Sequence, residues 1–205
     1  MKNPLRYQLT EYDCGPTSLL NAVSFLFPRE TIPPDLIRNI MMYSLDTFGG
    51  DGQPGRQGTS RMAMMFLSHW LDAYGKAGNF PVASVYLEKD EVYVGEESRI
   101  NDALRRGGVA IVRLYFDVDH YVLFTGDKDG RISVFDPYFC ELIPGTTIEP
   151  VKDQADTCNR IVPYEYFNRD TPEIYALGPV DKREAILIFN TETMLVEENT
   201  VEYFI

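Results

Sequence analysis

Histidine, cysteine and basic residues are scarce in this 205-residue chain, and each shortage closes off a class of function. Nineteen lysines and arginines face 31 acidic residues, so the net charge is −12 and phosphate backbones would be repelled; nucleic acid is not expected as a partner. Cys14, Cys140 and Cys158 form no CxxC pair, and the only histidines, His69 and His120, stand far apart. A Cys/His zinc site therefore lacks raw material, and no metal or other cofactor is expected. An odd cysteine count without pairing fits reduced thiols, and the expectation is a soluble cytoplasmic protein. No apolar run nears the roughly 18–20 residues of a membrane span, and no apolar stretch follows Met1-Lys2 as a signal peptide requires. The stretch GGDGQPGRQG (49–58) lacks the Gly-Lys-Ser/Thr ending of a phosphate loop and reads as flexible backbone. Internal repeats and linkers are absent as well.

What remains is an ordinary globular composition, 44% apolar and 24% charged, long enough for one domain over 1–205. PTSLLNAVSFLF (16–27) has Leu19, Leu20, Val23, Leu26 and Phe27 at helical spacing, with proline in the first turn, where its missing N–H costs nothing. PPDLIRNIMMYSL (33–45) predicts a second helix. TSRMAMMFLSHWLDAYG (59–75) predicts a third, capped by Thr59 or Ser60 and ended by Gly75. ESRINDALRRGG (97–108) predicts a fourth. Strand character marks FPVASVYL (80–87), VAIVRLYF (109–116), HYVLFTGD (120–127), DGRISVFDP (129–137) and EAILIFN (184–190). Between Tyr138 and Pro179 the pattern is irregular, with a short helix expected at PYEYFNR (163–169). The class is α+β, helices first and a mainly antiparallel sheet after.

The stretch QLTEYDCGPTSLLNAV (8–23) sets Cys14 at the start of the first helix. A nucleophilic thiol must become a thiolate, and a free cysteine titrates near pH ~8.5. A helix N-terminus and a neighbouring imidazolium both favour the charged form. Cys14 has the first by position; its backbone N–H and the Gln8 side-chain amide are candidate donors to an oxyanion. Gly15 leaves room for a substrate backbone. His120 is the candidate base. His69 lies mid-helix among apolar residues and reads as a packed or half-exposed helix residue.

Hairpin arithmetic decides whether Asp136 can orient His120. With a three-residue loop at Lys128–Gly130, Asp127 faces Arg131 and Val122 faces Asp136, leaving His120 two residues along on the same face. Diagonal neighbours lie about 7–8 Å apart, within reach of an imidazole and a carboxylate. An even-numbered loop puts the two on opposite faces, so the pair requires an odd turn or a bulge.

The Gln-x5-Cys-Gly opening, the later His-Tyr-Val and the Asp-Pro after it resemble papain-like cysteine peptidases. The nearest branch is the double-glycine leader peptidases that process bacteriocins. EYDCGPTSLLNAVSFLF is similar to that family's first helix, QGTSRMAMMFLSHWLDAYG to its Gly-Thr-Ser helix, and INDALRRGGVAIVRLYFDVDHYVLFTGDKDGRISVFDP to its helix–strand–hairpin segment. The resemblance implies a papain-like fold, with Cys14 as nucleophile, His120 as general base and acid, Asp136 as orienting residue and Gln8 as oxyanion donor. A peptide or protein is then the substrate. The chain departs from the family in its long segment after Pro137.

Three functions stay open on the residues. One is a cysteine peptidase working through an acyl-enzyme. Another is an acyltransferase or non-peptide amidase with the same triad. The last is a non-catalytic binding module of the same fold. Asp136-Pro137 also suits a plain turn, and Tyr12 and Asp13 suit either a site or an exposed loop. Cys140 and Cys158 read as packing or partly exposed thiols, Tyr121 as core, and Asp127–Gly130 as a hairpin turn lacking calcium ligands. Met41, Met42, Met62, Met64 and Met65 read as core stripes. The oligomeric state is not set by the sequence.

Overall fold

The structure is a computed structural model that describes residues 4–138, 140 and 143–195; Met1-Lys2 and residues 139, 141 and 142 of the irregular segment lie outside them. Among the described residues four α-helices, α1 (Cys14–Leu26), α2 (Pro34–Ser44), α3 (Arg61–Lys76) and α4 (Arg99–Arg105), accompany seven strands. The strands are β1 (Val82–Glu88), β2 (Val109–Phe116), β3 (Val118–Lys128), β4 (Arg131–Phe135), β5 (Glu149–Pro150), β6 (Arg160–Pro163) and β7 (Glu184–Asn190). They form one antiparallel sheet in the order β1-β7-β2-β3-β4-β6-β5. The architecture is α+β.

Side-chain alternation divides the core into two layers. On one face Ile111, Tyr121, Leu123, Phe135, Ile186 and Ile188 pack with Leu19, Leu36, Ile40, Met64 and Leu67 of α1, α2 and α3. On the other, Val112, Val122, Phe124, Val134 and Leu187 pack with Ile100 and Leu104 of α4 and with Phe167 and Tyr175. β7 is flanked by β1 and β2 and covered on both faces, so every one of its residues is buried. That is why EAILIFN reads as a nearly unbroken apolar run instead of an alternation.

Several boundaries move for local reasons. α1 begins at Cys14 itself, with Asp13 at the N-cap position, so the thiol is inside the first turn. α3 is capped by Ser60, whose hydroxyl accepts from Ala63 N at 3.1 Å, and runs past Gly75 to Lys76. Gly75 is needed within that last turn because a Cβ there would lie 1.8 Å from the carbonyl oxygen of Val82. The helix expected at 163–169 shrinks to one 3₁₀ turn, Tyr164–Tyr166. Of the methionine stripes only Met64 is core. Met41, Met42 and Met62 are exposed, because α2 and α3 turn those positions outward.

The hairpin also differs from the expected three-residue loop. Lys128 faces Arg131 across a two-residue turn in which Asp129 (φ 52°) and Gly130 (φ 72°) are both left-handed. This is the I′ geometry that matches strand twist and favours Asp-Gly. Asp127 consequently faces Ile132. Parity is restored by a bulge: Phe124 faces Val134 and Gly126 faces Ser133, leaving Thr125 as the extra residue.

Candidate active site

The loop before α1 is built by its own short-range bonds. Asp13 turns its carboxylate back onto the chain, accepting from Leu9 N at 3.1 Å, Thr10 N at 2.8 Å and the Thr10 hydroxyl at 2.7 Å. It makes no side-chain bond to the helix. Since Pro16 has no N–H, the donors at the helix start are the amides of Cys14 and Gly15, left for an incoming anion. Asn21, buried in α1, clamps the segment before the loop by exchanging two bonds with the Arg6 backbone, at 2.8 and 2.9 Å.

Gln8 follows that clamp. Its backbone N–H donates to Pro137 O at 2.9 Å, tying it to the residue after Asp136. Its side-chain Nε2 donates to Thr10 O at 2.8 Å, which fixes the amide and leaves the second N–H free of that bond. Gln8 and Cys14 line the same cleft.

His120 enters from β3. Ser18 on α1 donates to the backbone oxygen of Tyr121 at 3.1 Å, fixing the helix against the strand one residue from the imidazole. His120 Nε2 donates to Asp136 Oδ1 at 2.7 Å, and both side chains are buried. The Cys14 thiol stands beside the same ring, close enough to favour its protonated form. Because Nε2 is taken by Asp136, Nδ1 is the nitrogen left for sulfur. By strand parity His120 and Asp136 belong to the α4-side layer, whereas Cys14 comes from the α1 layer. The site therefore occupies the seam between the two.

Burial alone would lower the His120 pKa. The Asp136 charge and hydrogen bond, with the neighbouring thiol, outweigh it, and the value is pushed up to about 10. At neutral pH this is an imidazolium held between a carboxylate and a sulfur.

Asp136 is fully buried and well supplied with donors. Besides His120, Oδ1 accepts from Tyr138 N at 2.8 Å, and Oδ2 accepts from the Tyr175 hydroxyl at 2.6 Å. Its backbone is clamped by Asn159, which accepts from Asp136 N and donates to Asp136 O, both at 2.8 Å. Phe116 closes the group, with ring centroids 5.9 Å from His120 and 5.8 Å from Tyr175.

The cleft above this group holds about 710 Å³ and is rimmed by the Thr47 and Arg56–Arg61 region on one side and Phe116–Asp119 with Tyr138 on the other. A second cavity of about 470 Å³ shares Arg113, Val118 and Asp119 with the first and is also lined by Pro172 and Leu177–Pro179. Both stretches left open by sequence, 49–58 and 138–179, thus reach this groove. Arg61, Arg113 and Tyr121 of its lining are tied together by Glu184, which is buried behind them: it accepts from the Tyr86 and Tyr121 hydroxyls at 2.6 and 2.7 Å and stands 3.8 Å from both Arg61 and Arg113.

All four residues singled out by sequence, Gln8, Cys14, His120 and Asp136, lie together. His69 is exposed on α3; Cys14 and Cys158 are buried and Cys140 is half-buried. Tyr121 is buried as expected but also lines the cleft. Asp13, Asn159 and Tyr175 were not foreseen as support. Asp13 had the signal of an acid just before a helix; the other two lie in irregular chain with no periodic signal. Among the described residues no cluster of His, Cys, Asp and Glu suits a metal ion, and no helix is long and apolar enough to cross a membrane. No protein-family model matches this chain, and no curated protein is significantly similar to it.

Proposed function

We propose that this chain is a cysteine peptidase of papain-like fold that cleaves a peptide bond through an acyl-enzyme. The observation that carries the reading is the buried line of Cys14, His120 and Asp136 opening onto a groove beside Gln8. The sequence resemblance to double-glycine leader peptidases supports the same assignment. The groove favours an extended chain over a small amide, because the cleft holds about 710 Å³ and a second cavity shares Arg113, Val118 and Asp119 with it.

In this reading the imidazolium has taken the thiol proton. Sγ attacks the scissile carbonyl carbon, and the C=O electron pair moves onto oxygen. The oxyanion accepts from Cys14 N–H and from the Gln8 amide. His120 gives its Nδ1 proton to the leaving amine as the C–N bond breaks, and a thioester remains on Cys14. A water then loses its proton to His120 and attacks the thioester, releasing the acid and restoring the pair. Asp136 stays ionised and holds the ring by Nε2 throughout.

The test is to trap Cys14 with a panel of peptide aldehydes and vinyl sulfones of varied sequence and locate adducts by mass spectrometry. Adducts confined to Cys14, and absent in His120→Ala, support the peptidase. If no peptide probe reacts, and iodoacetamide labels Cys14 at pH 6 no faster than Cys140 and Cys158, the chain is a binding module instead. Adding candidate amines to a reacting mixture separates hydrolysis from acyl transfer by the mass of the released product.

A further inference from the structure

We infer that Tyr175, contributed by the segment beyond the resemblance to leader peptidases, is a positioning residue that locks the Asp136 carboxylate through its second oxygen. The inference rests on the triad reading above and deepens it.

Three observations converge on Tyr175. Its hydroxyl donates to Asp136 Oδ2 at 2.6 Å, and among the described residues it is the donor recorded at that oxygen. Both residues are 0% exposed, so no bulk water can substitute. Its backbone lies at φ 59°, a conformation that a bulky side chain adopts only when its surroundings impose it.

The surroundings can be named. Tyr175 N donates to Tyr115 O and Tyr115 N donates to Ala176 O, both at 2.8 Å, so the strained residue is pinned to the end of β2. Ala176 N to Glu173 O at 2.9 Å and Leu177 N to Phe167 O at 2.7 Å hold the turn on either side. The Phe116 ring packs against Tyr175 and His120 together. Such strain persists where a fixed side-chain direction is worth more than a relaxed backbone.

The phenol also has a partner behind it. Arg160, 2% exposed, lies near enough to the Tyr175 hydroxyl for its charge to act on the phenol, and donates to the backbone oxygen of Cys140. Arg160, Tyr175, Asp136, His120 and Cys14 thus form a continuous polar line from β6 to the tip of α1. Burial, together with the Asp136 charge, holds the phenol's pKa well above its usual value despite Arg160, so Tyr175 remains a donor at any working pH.

The role follows from the carboxylate's position. Oδ1 serves His120, while Oδ2 depends on Tyr175. Without the phenol, a charged oxygen is orphaned in a sealed site, which costs more than an ordinary hydrogen bond. A carboxylate that turns or is neutralised to relieve this no longer holds the imidazolium.

Tyr175→Phe tests the idea with packing kept. Cys14 alkylation by iodoacetamide is followed by mass spectrometry at pH 6 and pH 9.5, with thermal melting alongside. In wild type Cys14 is expected to react far faster than Cys140 and Cys158 at pH 6. In Tyr175→Phe the pH 6 rate should fall about tenfold, while the pH 9.5 rate, where thiols ionise without help, stays within about twofold. An unchanged ratio of the two rates, even with a lower melting temperature, means that Tyr175 only packs, and overturns the inference while leaving the triad standing. If wild-type Cys14 shows no advantage at pH 6, the triad reading fails and takes the inference with it.

Discussion

Asp136 accepts from His120 Nε2 at 2.7 Å, although a two-residue turn without a bulge would set it opposite Leu123 and point the imidazole to the other face. Removing the charge alone tests what that bond does. In Asp136→Asn the amide can present N–H to Nε2 and reverse the tautomer. The imidazole pKa is expected to drop from about 10 toward its ordinary 6.5. Peptide cleavage should fall about 10³–10⁴-fold, as when the orienting acid of a comparable triad is neutralised. An NMR titration of His120 and a turnover assay read the two effects; a pKa left near 10 would show that Asp136 is not its cause.

The hairpin also marks the limit of what was legible. Residue types and strand faces were readable because apolar alternation and Asp-Gly are local signals, and they brought His120 and Asp136 into one neighbourhood. The turn length is not legible, because Lys128-Asp129-Gly130 suits a two- or a three-residue loop. Thr125 carries no mark of a bulge; its extra residue follows from the twist of the assembled sheet. Cys14 was legible through its helix and Gln8 through its spacing. Tyr175 was not, since its contact with Asp136 joins residues 39 apart through chain without regular pattern.

The raised His120 pKa makes stability depend on pH in a definite direction. The folded state holds the imidazolium proton up to about pH 10, whereas an ordinary histidine releases it near 6.5. The stabilisation is therefore complete below about pH 6.5 and is lost as pH rises through about 10. The midpoint of urea unfolding is expected to fall between pH 7 and pH 10 in wild type, and more shallowly in Asp136→Asn. Parallel profiles for the two proteins would mean that the pair contributes nothing across this range.

Gln8 is anchored through its backbone to Pro137, so its side chain can be shortened without releasing the loop. Gln8→Ala should leave the free energy of unfolding within about 0.5 kcal/mol of wild type, as at other sites away from the packed core. Turnover should nevertheless fall about 10²–10³-fold, the usual cost of one oxyanion donor. Iodoacetamide alkylation of Cys14 forms no oxyanion and should hardly change. A variant that turns over peptide like wild type would take Gln8 out of the mechanism.

Gly15 is required by packing at the mouth of the cleft, and its substitution should separate access from chemistry. A Cβ at this position would lie 2.6 Å from Thr59 Oγ1 and 2.9 Å from Thr59 Cβ. Both are shorter than a contact tolerates, so in Gly15→Ala the Gly58-Thr59 corner has to move. Overpacking of this kind costs about 1–3 kcal/mol, and calorimetry should record it. Thr59→Gly removes both clashing atoms, so the double variant should be more stable than the sum of the two single changes by at least about 0.5 kcal/mol. Since Thr59 and Ser60 line the groove, the displaced corner should narrow it on that side. Trapping of Cys14 by a bulky peptide vinyl sulfone should therefore slow by about tenfold or more, while the small reagent iodoacetamide still reaches the thiol within a fewfold of its wild-type rate. Equal slowing of both reagents would mean that the substitution disturbs the thiol itself, and that the Thr59 corner is no part of the path a peptide follows to Cys14.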